Sequence, residues 1–280
     1  MRVQRALARA GVASRRAAEE LIRDGKVRVN GAVATIGMSA DPDHDVITVQ
    51  GRRVTQSEIV WIALNKPLGH VVTRRDPEGR PTVFSLVPDV PGLTYVGRLD
   101  VMTSGLLLLT TDGEAAHRLM HPRFEVERTY RAVVHGRNEV EIRRAFDRGI
   151  VIDGRPVNVV DLKIRAAQEG RGGGSLELLL VLAEGRYRIV RRICELLGLK
   201  VERLVRLSYG PIRLGPLEPA AWRYLTKQEL AAVAKGGTAG RSGGQAVRRS
   251  SAPSRKGSKP GGARSDRPTA RPSSRRKGQW

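Results

Sequence analysis

The sequence predicts an α+β protein: a small N-terminal module of helices and a hairpin, then a mixed, mostly antiparallel sheet with helices packed on it. Three observations carry this. Residues 128–208 follow the order strand, helix, strand, strand, helix, strand, a split β-α-β-β-α-β pattern. Leu106 to Leu109 is an unbroken apolar run of the kind found in a strand buried on both faces. From Gly236 to Trp280 apolar periodicity stops and Gly, Ser, Pro and Arg dominate, which reads as a disordered basic tail. A chain of 280 residues accommodates two domains and such a tail.

Residues 1–51 form the first unit. A short helix turns Val3, Leu7 and Ala8 inward, and Ser14 caps a second helix that ends at Gly25. Lys26 to Val29 alternates as a strand, Asn30-Gly31 is a two-residue hairpin turn, and Asp45 to Val49 supplies another strand. Arg15 and Arg16 follow the cap directly. Cations in a first turn oppose the helix macrodipole, so they point to a phosphate partner rather than to helix stability. Residues 52–57 read as a polar linker.

The second unit, residues 58–235, opens with the buried-strand run Ile59 to Leu64 and the turn Asn65-Lys66-Pro67-Leu68-Gly69. Thr94 to Val96 and Leu106 to Leu109 are strands, and the loop between them carries Arg98 and Asp100. Rigid elements on both sides hold such a loop where a reactive group is useful. Gly105 lets the backbone turn or approach a ligand closely. Then come a helix (Glu114–Met120), a strand (Arg128–Val134), a helix (Glu139–Asp147), strands at Val157–Ile164 and Leu176–Leu182, a helix (Tyr187–Leu197), a strand (Val201–Leu207) and a closing helix (Thr226–Ala234). His117 and His121 have the spacing of metal ligands, but no HExxH glutamate accompanies them and Pro122 ends the helix, so no metal site is expected.

The formal net charge is +22. An excess that large calls for a polyanion, and nucleic acid fits better than a membrane surface because no apolar span or amphipathic anchor is present. The tail holds twelve lysines and arginines against one aspartate, a net of +11, and so half of the total. Cys194 is the only cysteine, which excludes an internal disulfide and fits a reducing cytoplasm; no secretory signal follows Met1.

The stretch from Gly97 to Gly113, GRLDVMTSGLLLLTTDG, resembles the catalytic motif of bacterial ribosomal-RNA pseudouridine synthases, in particular the RsuA family. Alone, its Asp100 would read as a turn residue with Arg98 as surface partner. The resemblance extends to about Leu230: Asn65 to Gly69 is similar to the first family motif, NKPxG, and Glu184 to Arg192, EGRYRIVRR, to the third, usually EGRNRQVRR, with Tyr187 and Ile189 departing from it. The N-terminal pattern ARAGVASRRAAEELIRDGKVRVNG is similar to the alpha-L RNA-binding motif, which indicates RNA without specifying chemistry.

The resemblance implies isomerisation of a uridine in ribosomal RNA, in the large subunit by preference because of the basic tail. The alternatives are the small subunit, or a non-catalytic RNA-binding protein of ribosome assembly. It also assigns roles. Asp100 is the catalytic carboxylate, Arg186 the cation that keeps it ionised in an apolar pocket, and Tyr130 the ring that stacks on the flipped base and acts on the C5 proton. Lys66, Arg98, Leu204, Arg188 and Arg191 are assigned to substrate binding, and Arg15 and Arg16 to RNA. Neither cofactor nor metal is required. The expected partner is ribosomal RNA or an assembly intermediate, met in the cytoplasm by a monomer without membrane association.

Overall fold

The computed structural model describes residues 1–55, 58–168 and 174–235. The expected basic tail, 236–280, lies outside them. In the N-terminal module, α1 (Val3–Arg9) and α2 (Arg15–Arg23) pack on a four-stranded sheet of β1 (Val27–Val29), β2 (Ala32–Val33), β3 (Ile47–Val49) and β4 (Arg52–Arg53), in the order β2-β1-β3-β4. Ser14 Oγ accepts the Ala17 N–H, the cap that its position implied. Val3, Ala6, Leu7 and Ile22 form the small core, with Ala6 rather than Ala8 fully buried. Arg52 and Arg53 do not belong to a linker. They pair with Val49 and Thr48, and Val54 packs on the same core, because the Gln50-Gly51 turn folds the chain back as a hairpin.

The larger domain begins at β5 (Trp61–Lys66) and continues through β6 (Thr94–Val96), β7 (Ser104–Thr110), α3 (Gly113–Met120), β8 (Arg128–His135), α4 (Glu139–Asp147), β9 (Val151–Ile152), β10 (Arg155–Pro156), β11 (Val159–Ala166), β12 (Leu176–Leu182), α5 (Ile189–Leu196), β13 (Lys200–Tyr209), β14 (Ile212–Arg213), β15 (Trp222–Tyr224) and α6 (Lys227–Ala234). Nine strands form one sheet along the path β11-β12-β8-β13-β7-β5-β15, with β14 on β13 and β6 on β7. Every pairing is antiparallel except β13 with β7. Leu106 to Leu109 are wholly buried, Leu107 and Leu109 in one core and Leu106 and Leu108 in the other, so β7 is covered on both faces as its composition demands.

β7 is also where the sheet parts. Its first residues pair with β13 (Ser104 with Val205, Gly105 with Arg206) and its last with β6 (Leu108 with Val96) on the same edge. The carbonyl of Leu106 falls in the interval, and the Nε of Arg206 donates to it at 2.8 Å. Gly105 permits this junction. A Cβ there would lie 2.3 Å from the carbonyl oxygen of Arg206, so the close approach expected at Gly105 is to β13 and not to a ligand. The module is seated against the domain nearby: Arg5 pairs with Glu114, and a Cβ on Gly92 would come within 2.4 Å of the carbonyl oxygen of Arg9.

Candidate active site

The loop between β6 and β7 opens on a cleft of about 840 Å³ lined by Asp100, Arg98, Tyr130, Leu204, Arg188 and Arg191, with Arg186, Arg206 and others around them. Leu99 is buried beside Asp100 and anchors the loop, and a turn closes from the Thr103 N–H to the Asp100 carbonyl at 3.0 Å. Lys66 completes the anchorage. Its side chain is fully buried at the end of β5, and the ammonium donates to the carbonyls of Pro67 (2.8 Å), Thr103 (2.9 Å) and Val101 (3.4 Å). Loss of hydration pushes Lys66 down to about 8, with the Asp100 charge opposing the fall and Arg206 adding to it. The assignment of Lys66 to substrate binding is therefore corrected. All three of its hydrogens are spent on backbone, so it positions the loop from beneath.

The partner of Asp100 is also different from the one expected. Arg188 Nη1 lies 3.5 Å and Arg191 Nε 3.8 Å from Asp100 Oδ2. Arg191 further donates to the carbonyl of Met102 and, at 3.4 Å, to Thr103 Oγ1. Burial lowers the Arg191 value from that of free arginine, the neighbouring Arg188 charge lowers it further, and Asp100 works against both. Arg186 instead pairs with Glu184 and donates to the carbonyls of Ile152 (2.9 Å) and Pro156 (3.1 Å). Burial alone would raise the Glu184 carboxyl, but the Arg186 hydrogen bond and the Asn158 N–H hold it below the usual range. The reason lies in where the helix begins. Arg188 takes a left-handed conformation (φ 50°) and α5 starts at Ile189, so the cations one turn apart that reach Asp100 are Arg188 and Arg191. Arg186, still outside the helix, clamps the β9–β10 hairpin, an element absent from the order of strands and helices that the sequence predicts.

Tyr130 and Leu204 stand on adjacent strands, with Tyr130 opposite Arg206 and Leu204 opposite Ala132. Both are largely buried and belong to the main core, leaving an edge of each to the cleft. Arg98 is exposed at the rim. Arg15 and Arg16 are exposed at the start of α2, in the module and outside the cleft lining. Two buried cations are not evident from the sequence. Arg206, 2% exposed, places its guanidinium 4.9 Å from the Tyr209 ring centre. Arg128 donates to Tyr209 Oη at 2.8 Å and to the carbonyls of Val126 and Leu119. The available signal was an arginine inside an apolar strand, since a charge is buried only where partners await it.

A carboxylate on a rigid loop, two arginines on its open side, an aromatic wall and a basic rim, joined to a small helix-and-hairpin module, define an enzyme that works on a nucleobase of RNA. Its family follows from comparison. Residues 60–196 match the RNA pseudouridylate synthase family and residues 1–46 the S4 domain. An uncharacterized RNA pseudouridine synthase of Mycobacterium leprae is 44% identical over 236 residues, covering 82% of this chain and 91% of the relative. The ribosomal large subunit pseudouridine synthase B of Bacillus subtilis is 40% identical over 231 residues, covering 82% and 93%. A crystal structure of a pseudouridylate synthase superposes with a TM-score of 0.56 at 30% identity, over 83% of this chain and 99% of that one. The chain belongs to the RNA pseudouridine synthase family and carries an N-terminal S4 domain.

Proposed function

We propose that this enzyme converts a specific uridine of large-subunit ribosomal RNA to pseudouridine, acting as a monomer in the cytoplasm. The observation that carries the chemistry is Asp100, placed 3.5 Å from Arg188 and 3.8 Å from Arg191 in a cleft walled by Tyr130 and Leu204. The choice of RNA rests on relatives named as large-subunit enzymes and on the net charge of +22.

The reaction breaks the N1–C1′ bond of uridine, turns the uracil and joins C5 to C1′. Atoms and electrons balance within the nucleotide once the C5 proton moves to N1. Attack on C1′, attack on C6 and proton removal from C2′ all use one carboxylate, and Asp100 is the one that the cleft presents beside two guanidinium groups. Tyr130 offers a face for the extruded base and a phenol for the C5 proton, while Arg98 meets the displaced nucleotide at the rim. Contacts of this kind offset the few kcal/mol of unstacking, on the order given for base extrusion.

Pseudouridines are mapped in ribosomal RNA from wild-type and deletion strains, and from deletion strains carrying the wild-type gene or Asp100→Asn. One large-subunit pseudouridine should vanish on deletion and return only with the wild-type gene. Purified Asp100→Asn should bind RNA nearly as wild type does. Residual turnover within about tenfold of wild type would sink the assignment of Asp100 as nucleophile.

A further inference from the structure

The lips of the cleft carry two side chains that the reaction leaves unused. Tyr187 is 70% exposed and Met102 60% exposed, the most exposed of the large apolar side chains lining the cleft. Most of the others (Tyr130, Leu99, Ile189 and Leu204 among them) are buried. Met102 lies two residues beyond Asp100, and its carbonyl is held by Arg191. Tyr187 immediately precedes Arg188, whose left-handed backbone fixes the direction in which the chain leaves it. The two residues thus flank Asp100 from different segments, each tied to an arginine that pairs with the carboxylate. Among the described residues no ring or guanidinium stacks on Tyr187, unlike Tyr95, Tyr209 and Tyr224, which meet Phe84, Arg128 and Trp222.

A single exposed apolar side chain needs no explanation elsewhere on a surface. Here the position supplies one. When a uridine leaves its stack, the bases on either side lose a stacking face, and an aromatic side chain replaces it without regard to base identity. Arg98 and Arg188 line the same cleft and offer charge to the adjoining phosphates.

We propose that Tyr187 is a stacking platform for a nucleobase flanking the target uridine, with Met102, on the Asp100 loop, packing against the same unstacked segment. The inference rests on the reading of the enzyme as an RNA pseudouridine synthase and adds a binding subsite to it. Tyr187 is a positioning residue. It touches no reacting atom, and its contribution appears in RNA affinity.

The test uses the full chain and a protein-free fragment of large-subunit ribosomal RNA containing the mapped uridine. Tyr187→Ala should raise KM about ten- to a hundredfold and leave the single-turnover rate at saturating RNA within about twofold, while Tyr187→Phe should behave as wild type. Melting temperatures of both variants should match wild type, because the side chain is 70% exposed and belongs to none of the hydrophobic cores. Removing the base of one flanking nucleotide should cost the wild-type enzyme a similar factor and cost Tyr187→Ala nothing further, the non-additivity of a direct contact. Unchanged KM in Tyr187→Ala, or equal losses for both enzymes with every flanking base removed in turn, overturns the inference and leaves the enzyme's function standing. Full retention of every large-subunit pseudouridine in the deletion strain overturns the functional reading, and this subsite with it.

Discussion

Lys66→Met removes an ammonium from beneath the Asp100 loop while keeping the length of the apolar stem. The carbonyls of Pro67 and Thr103, at 2.8 and 2.9 Å, lose their donor, and each buried carbonyl left unpaired costs about 1–3 kcal/mol. Against this, methionine carries no charge to desolvate. The burial cost can be placed through pH. Lys66 titrates at about 8 in the fold against 10.5 for an ordinary lysine. Below about pH 8 both folded and unfolded chains hold the proton, and the folded chain bears the full cost of the buried charge. Between the two values the folded chain has released a proton that the unfolded chain keeps, so stability rises with pH, and above 10.5 the rise ends. At about 1.4 kcal/mol per pH unit the gain is about 3 kcal/mol. Denaturant titrations of wild type and Lys66→Met at about pH 7.5 and about pH 10 should therefore diverge, with wild type gaining about 2–3 kcal/mol relative to the variant at the higher pH. Activity should run the other way. A neutral amine has two hydrogens for three carbonyls, so wild-type single-turnover rates should fall as pH passes about 8. The variant should lose tenfold or more in rate at any pH with RNA affinity nearly unchanged, on the order expected for a displaced catalytic group. Parallel stability curves would show that Lys66 is not the buried, depressed cation described above. A variant with wild-type rate would refute its role in holding the loop.

Three further outcomes follow from the site. Arg191→Ala should lower the single-turnover rate by about ten- to a hundredfold, whereas Arg186→Ala should lower the melting temperature by releasing the β9–β10 hairpin and change the rate far less; the reverse ranking would restore Arg186 as partner of Asp100. Gly105→Ala should cost several kcal/mol, about 3 or more by comparison with strained overpacked sites, and a melting temperature within about two degrees of wild type would show that β13 can retreat. Truncation after Lys235 removes half of the net charge and none of the cleft. It should flatten the salt dependence of RNA binding by about 0.7–0.9 in log–log slope for each phosphate that the tail neutralises, with the saturating rate unchanged, and an unchanged slope would make the tail a bystander.

What could be read from the sequence was local. The helix Glu139–Asp147 and the strand Leu176–Leu182 lie where their patterning put them, the former opened by an Asn138–Glu141 capping box, and the Asn30-Gly31 turn joins β1 to β2. The position of Asp100 between two core strands was equally legible, because turn residues and apolar runs bracket it. What escaped depends on contacts distant in sequence. Lys66 looks like a surface cation until the carbonyls of Val101 and Thr103 are brought to it from the far side of β6. Arg186 and Arg191 are indistinguishable as members of a basic run, and a two-residue difference in the start of α5 decides which meets the carboxylate. The Asp153-Gly154 dipeptide is a turn signal for the β9–β10 hairpin, but the strands it joins are only two residues each, too short to show alternation.

The parting of the sheet at β7 gives the enzyme its depth. In an unbroken lattice of strands a loop can leave only over the ends, where it stands on the rim and shares its surroundings with bulk water. Here β6 and β13 take the same edge of β7 in succession, and the chain from Gly97 to Thr103 emerges through the seam between them. Asp100 is thus delivered into the body of the domain rather than onto its margin. The defect is closed by one guanidinium, that of Arg206, capping one carbonyl. Catalytic burial is then a matter of strand register: lengthening β6 by about two residues would heal the seam and shut the aspartate out.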